Sequence, residues 1–123
     1  MRTACALGLL CFAACAADDP LPVLEIGSVE VQLAGECPAQ ATVVIEAGKG
    51  ACDEPLPPVI ERRDHQLEIQ LMVESTAEVC AAVLDSYQVR VTPSEPFAEG
   101  EYQVVVPAEL NTGSASFRVA GCP

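Results

Sequence analysis

Apolar and polar residues alternate strictly along Ser28-Val29-Glu30-Val31-Gln32-Leu33, which points Val29, Val31 and Leu33 one way and Glu30 and Gln32 the other. This is the pattern of a half-buried strand. It returns at greater length over residues 66–74, where Leu67, Ile69, Leu71 and Val73 share one face. Further strands are expected over 41–46, 59–63, 87–92, 102–107 and 115–119, each bounded by Gly, Pro, Asn, Asp or Ser. Asn111-Thr112-Gly113 supplies turn chemistry between the last two, so they should form a hairpin. Residues 76–84 could hold a turn or two of helix on propensity, but so short a helix is marginal without packing. They read as mostly loop and strand edge. About seven short strands with frequent turn signals and almost no helix predict an all-β fold, a single antiparallel β-sandwich.

Ahead of the strands the pattern changes. Arg2 is followed by the apolar run Leu7-Gly8-Leu9-Leu10-Cys11-Phe12, then by Ala13 and Ala14, then by Cys15, with Asp18-Asp19-Pro20 shortly after. A charged start, an apolar middle and a small-residue cleavage site make a signal peptide over residues 1–14. Phe12-Ala13-Ala14-Cys15 resembles the lipobox of bacterial lipoproteins, although that motif usually carries Leu where Phe12 stands. The resemblance implies that Cys15 takes a diacylglyceryl group on sulfur and becomes the N-terminal residue. Cys5 lies too near the start, and bulky Leu10 precedes Cys11, so Cys15 is the better acceptor. A plain secretory signal cut near Ala16 or Ala17 is the alternative. A membrane span is disfavoured, because the run supplies about fifteen apolar or small positions against the roughly twenty required. Residues 15–22 are expected to be the lipidated cysteine and an extended tether, and residues 23–123 the sandwich. Ala16, where inner-membrane lipoproteins often carry Asp, makes the resemblance favour the outer membrane.

Loss of Arg2 with the leader leaves five Lys and Arg against eighteen Asp and Glu, a formal charge of −13. Nucleic acid is then an unsuitable partner, since binding it needs a basic surface to replace phosphate counterions. The acids are spread along the chain and read as a solvated surface. Of seven cysteines, Cys37, Cys52, Cys80 and Cys122 remain once Cys5 and Cys11 leave and Cys15 is acylated. An even set in an exported chain suits two disulfides, for which three pairings exist. Chain layout favours Cys52 with Cys80 and Cys37 with Cys122, and the rival is Cys37 with Cys52 and Cys80 with Cys122.

The string Pro96-Phe97-Ala98-Glu99-Gly100-Glu101-Tyr102-Gln103-Val104-Val105-Val106, followed by Ser116-Phe117-Arg118-Val119, resembles the last two strands of immunoglobulin-like or fibronectin type III-like modules. In those modules a Gly-x-Tyr turn commonly starts the penultimate strand. The resemblance implies an Ig-like sandwich of the kind carried by small exported lipoproteins. The chain has no Trp, so the buried tryptophan of antibody-type domains is missing.

Candidate chemistry is sparse. His65 is the single histidine and stands in the polar turn Glu61-Arg62-Arg63-Asp64-His65, with no nucleophile motif beside it. Ser75 and Ser86 are equally unsupported, and no phosphate-cradling glycine loop or zinc helix occurs. No catalytic residue and no cofactor is therefore expected, and the chain is not read as an enzyme. Calcium is the one metal worth considering, through Asp53-Glu54 or Glu95 with Glu99 and Glu101, but a dedicated loop's ligand spacing is missing, so no metal site is assigned. A partner would meet loops 51–58, 61–65 or 109–113, of which the first is stiffened by Pro55, Pro57 and Pro58. Tyr87 and Tyr102 fall in phase with apolar neighbours and are expected in the core. The expectation is an envelope lipoprotein whose domain is a binding or structural module, held to a membrane by its lipid. An inhibitor or accessory factor of an envelope enzyme, working through an end loop, is the alternative.

Overall fold

Residues Ala41, Val43, Ile45 and Ala47 recur at every second position and are all buried, so the strand that carries them has one face wholly inside. That strand is β3 (Gln40–Gly50), the centre of an antiparallel sheet between β2 (Glu25–Ala34) and β8 (Leu84–Val91). The computed structural model describes residues 20–35, 38–75 and 83–121. A second sheet has the order β10 (Thr112–Val119), β9 (Gly100–Pro107), β6 (Gln66–Gln70), β5 (Val59–Arg63). A third, small sheet joins β1 (Leu21–Pro22), β7 (Met72–Ser75) and β4 (Asp53–Pro55). The described residues are all-β, as the alternation predicts, and the β3 face packs with Leu67, Ile69, Tyr102, Val104, Val106, Phe117 and Val119 in one core. Each such side chain contributes about 1.5–3 kcal/mol on burial.

The run 66–74 buries all four residues assigned to one face, with Leu67, Ile69, Leu71 and Val73 at 2 % exposure or less. It is two strands, however. The chain leaves one sheet at Gln70 and enters another at Met72, and the carbonyl of Leu71 at the break accepts a hydrogen bond from the Val23 amide at 3.1 Å. Alternation reports which face a side chain takes, and a strand that changes sheets keeps its alternation. This break, and the short strands β1 and β4, bring the total to ten strands among the described residues. Leu21 and Pro22 pair with Val73 and Met72, so residues expected in the tether belong to the ordered domain. All strand pairs in the described residues are antiparallel except one, β6 with β9, where residues 66–68 run parallel to residues 103–105.

Two local features close the sandwich. The Tyr102 hydroxyl donates to the Ala98 carbonyl at 2.8 Å, the corner bond typical of immunoglobulin-type sandwiches, and it fixes the entry into β9. On the side where β10 lies over β2, a Cβ on Gly113 would come within 2.9 Å of the Val29 side chain and would also overlap Ile26. Glycine allows that approach. Tyr102 is buried as expected, while Tyr87 is only partly buried, against the end of β3.

Candidate functional site

Two poles of the sandwich collect the polar residues singled out above. At the first pole the β5–β6 turn depends on Asp64, whose φ of 49° lies in the left-handed region that Asp tolerates better than most residues. The turn delivers His65 onto Tyr102, with ring centroids 4.9 Å apart and planes tilted by 42°. Gly100 makes room for it, since its φ is 150° and an added Cβ would stand 3.1 Å from His65 Nε2. Beneath, Tyr102 stacks on Phe117 at 5.1 Å, and Phe97 meets both rings edge-on. The Arg62 guanidinium caps the cluster 3.7 Å from the Phe97 ring centre and donates to the carbonyls of Glu95 and Pro96. Such a stacked cation is worth about 0.5–2 kcal/mol.

Two grooves meet at His65. One, of about 610 Å³, runs along Glu101, Tyr102, Gln103, Ser116, Phe117 and Arg118. The other, of about 320 Å³, includes Glu61, Arg63, Gln66 and Glu68. Glu61 and Glu68 face each other across the β5–β6 pair, a like-charge contact, and Arg63 relieves it by donating to Glu61 at 2.9 Å. That hydrogen bond and the charge of Glu61 push the Arg63 guanidinium pKa up. The grooves offer an open polar surface with one aromatic edge. His65 contributes its carbonyl to the Gln103 amide at 2.9 Å and its ring to Tyr102, so its visible work is packing.

At the opposite pole the β9–β10 loop is bolted to the start of the domain. The amides of Glu109 and Leu110 donate to the carbonyls of Val23 and Leu24 at 3.0 and 2.8 Å. Asn111 pairs with Ile26 as a strand would, accepting from its amide through Oδ1 at 2.8 Å and donating to its carbonyl through Nδ2 at 2.9 Å. This contact sits beside the register shift between Ile26 and Ser28 in β2. The turn chemistry of residues 111–113 was legible; the partner of Asn111 lies 85 positions away and was not. Leu110 is left 68 % exposed at the tip.

The remaining candidates are put to structural use. Asp53 accepts from the Gly50 amide at 3.2 Å and holds the β3–β4 turn, and Leu56 donates to Met72, so much of loop 51–58 is tied into the small sheet. Glu95 approaches Arg62 at 4.0 Å and Glu101 approaches Arg118 at 3.9 Å, so these acids face different cations. No group of three or more His, Cys, Asp or Glu that could hold a metal ion occurs among the described residues. Sequence reasoning missed Lys49, the one buried charged residue among the described residues. It lies in phase with Ala47 at the inward-facing end of β3, and its ammonium lies 3.2 Å from Asp85. The signal was there, since the two-residue period of 41–47 continues to Lys49, but Gly48 and Gly50 around it masked the strand. Cys52 is disulfide-bonded. Cys15, Cys37, Cys80, Cys122 and the signal segment lie outside the described residues. No family model matches the chain, and no curated protein or solved structure matches it either.

Proposed function

We propose that the chain is a lipoprotein of the bacterial cell envelope, anchored through acylated Cys15, whose β-sandwich serves as a non-catalytic binding or structural module. The observation that carries the reading is the leader: one cation, an apolar run, and Ala13-Ala14-Cys15 with Asp18 and Asp19 shortly after. The fold supports it in one respect. Strand β1 begins at Leu21, six positions after Cys15, so the folded domain starts almost at the anchor. Several acyl chains, at about 0.8 kcal/mol per buried methylene, hold such a domain firmly. The module reading is supported by the use made of the polar residues near His65, which stack, cap and close turns.

Membrane partition of the full-length protein tests the anchor. Wild type should sediment with membranes and enter the detergent phase, while Cys15→Ser should be released to the soluble fraction. Wild type found soluble, with no difference from Cys15→Ser, would overturn the reading.

A further inference from the structure

Leu110 is a large apolar side chain on a loop whose backbone is fixed. Its own amide is bonded to Leu24, that of Glu109 to Val23, and the Asn111 side chain to both backbone groups of Ile26. Such a loop cannot fold its leucine away, and the residue stands 68 % exposed. Leu21, 43 % exposed, is only two positions from Val23, and a recess of about 330 Å³ at this pole is lined by Pro22, Gln70, Leu71, Met72, Pro107 and Ala108, chain neighbours of both leucines. Val83 and Leu84, also exposed, belong to the same pole, because Leu84 pairs with Gly50 and the Gly48 carbonyl accepts from the Leu24 amide. Among the described residues, these four of the seven exposed large apolar side chains thus belong to the pole where the chain enters the domain.

We propose that this pole rests on the bilayer that holds Cys15, with Leu110 and Leu21 as its contact points and the His65 groove turned away from the lipid. The proposal rests on the lipoprotein reading, and the length of chain outside the fold supplies the occupant. From Cys15 to Leu21 a fully extended chain spans at most about 21 Å. The eleven residues of β3 span about 33 Å between the poles. The anchor therefore holds the leucine-bearing pole at the membrane and leaves the other beyond its reach. Glu25 and Glu109 belong to this pole beside the Lys49–Asp85 ion pair, so contact is with zwitterionic lipid, and an anionic surface repels it.

The chain contains no Trp, so single tryptophans report position directly. Acylated full-length Leu110→Trp and Glu95→Trp are each placed in phosphatidylcholine vesicles with bromine-labelled acyl chains. Both should float with the vesicles, and quenching should be at least threefold stronger at position 110 than at position 95. Addition of phosphatidylglycerol at low salt should reduce the difference, and salt should restore it. Equal quenching at the two positions, or none at position 110 in protein that floats, overturns the orientation and leaves the anchor standing. A tryptophan at position 110 shielded only in native membranes assigns the pole to a protein and overturns it also. Failure of both variants to float removes the anchor and the orientation with it.

Discussion

Asn111 offers the sharpest test at the scale of single residues, because its amide satisfies two backbone groups of Ile26 in a partly buried strand. Asn111→Ala leaves both without a partner and should cost about 2–3 kcal/mol, read as a lower urea midpoint at unchanged slope. At Asp64 the left-handed backbone decides: Asp64→Gly should be neutral or slightly stabilising, and Asp64→Val should lose about 1–2 kcal/mol. Tyr87 sets a pH dependence. Burial raises its pKa above the ordinary 10.0, so folding favours the neutral phenol. That contribution is fully present below pH 10 and is lost as pH rises through the raised value. Phenolate absorbance in a Tyr102→Phe background should titrate above the unfolded-chain midpoint. Titration at or below it would contradict the burial of this ring.

Between elements, the test is the closure of β10 over β2. Gly113→Ala puts a methyl group into Ile26 and Val29, and overpacking of this kind costs about 1–3 kcal/mol. Gly121→Ala meets only the flexible carboxylate of Glu99 at 3.0 Å and should cost less, which makes it the matched control. Thermal unfolding of the pair should rank them in that order. How much was legible in the sequence follows from what alternation encodes. The strands over 28–33, 41–46 and 66–74 and the β9–β10 hairpin could be placed, because each shows one face to the core. The change of sheet at Leu71 and the parallel β6–β9 neighbours could not, since facing is unaltered by the choice of partner strand. Strand β1 was hidden because a two-residue strand ending in proline carries no period. The His65 grooves were half legible: the β5–β6 turn could be read as polar, but Phe97, Tyr102 and Phe117 beneath it come from distant segments.

For the whole molecule, the proposed covalent frame and the proposed anchor bear on the same small domain. The turn holding Cys52 lies between Gly50, which pairs with Leu84, and Asp53, which pairs with Ser75. Both ends of the segment containing Cys80 therefore flank Cys52. At the other pole Gly35 and Gly121, neighbours in sequence of the segments with Cys37 and Cys122, line one recess of about 300 Å³. Non-reducing peptide mapping should accordingly find Cys52 joined to Cys80 and Cys37 joined to Cys122. Replacing either pair with serines should cost about 2–5 kcal/mol. A map joining Cys37 to Cys52 would refute the assignment. With no Trp, and with Phe97 and Phe117 the two Phe beyond the leader, the core is small, and cross-links compensate most in small domains.

The lipid on Cys15 is the claim from which localisation, orientation and the count of pairing cysteines all follow. Intact mass spectrometry of the mature protein, purified from its own membranes, tests it most directly. The account predicts a chain beginning at Cys15, heavier than its sequence by the acyl groups, with fragmentation placing that mass on the first residue. An unmodified chain beginning at Ala16 or Ala17 would contradict it.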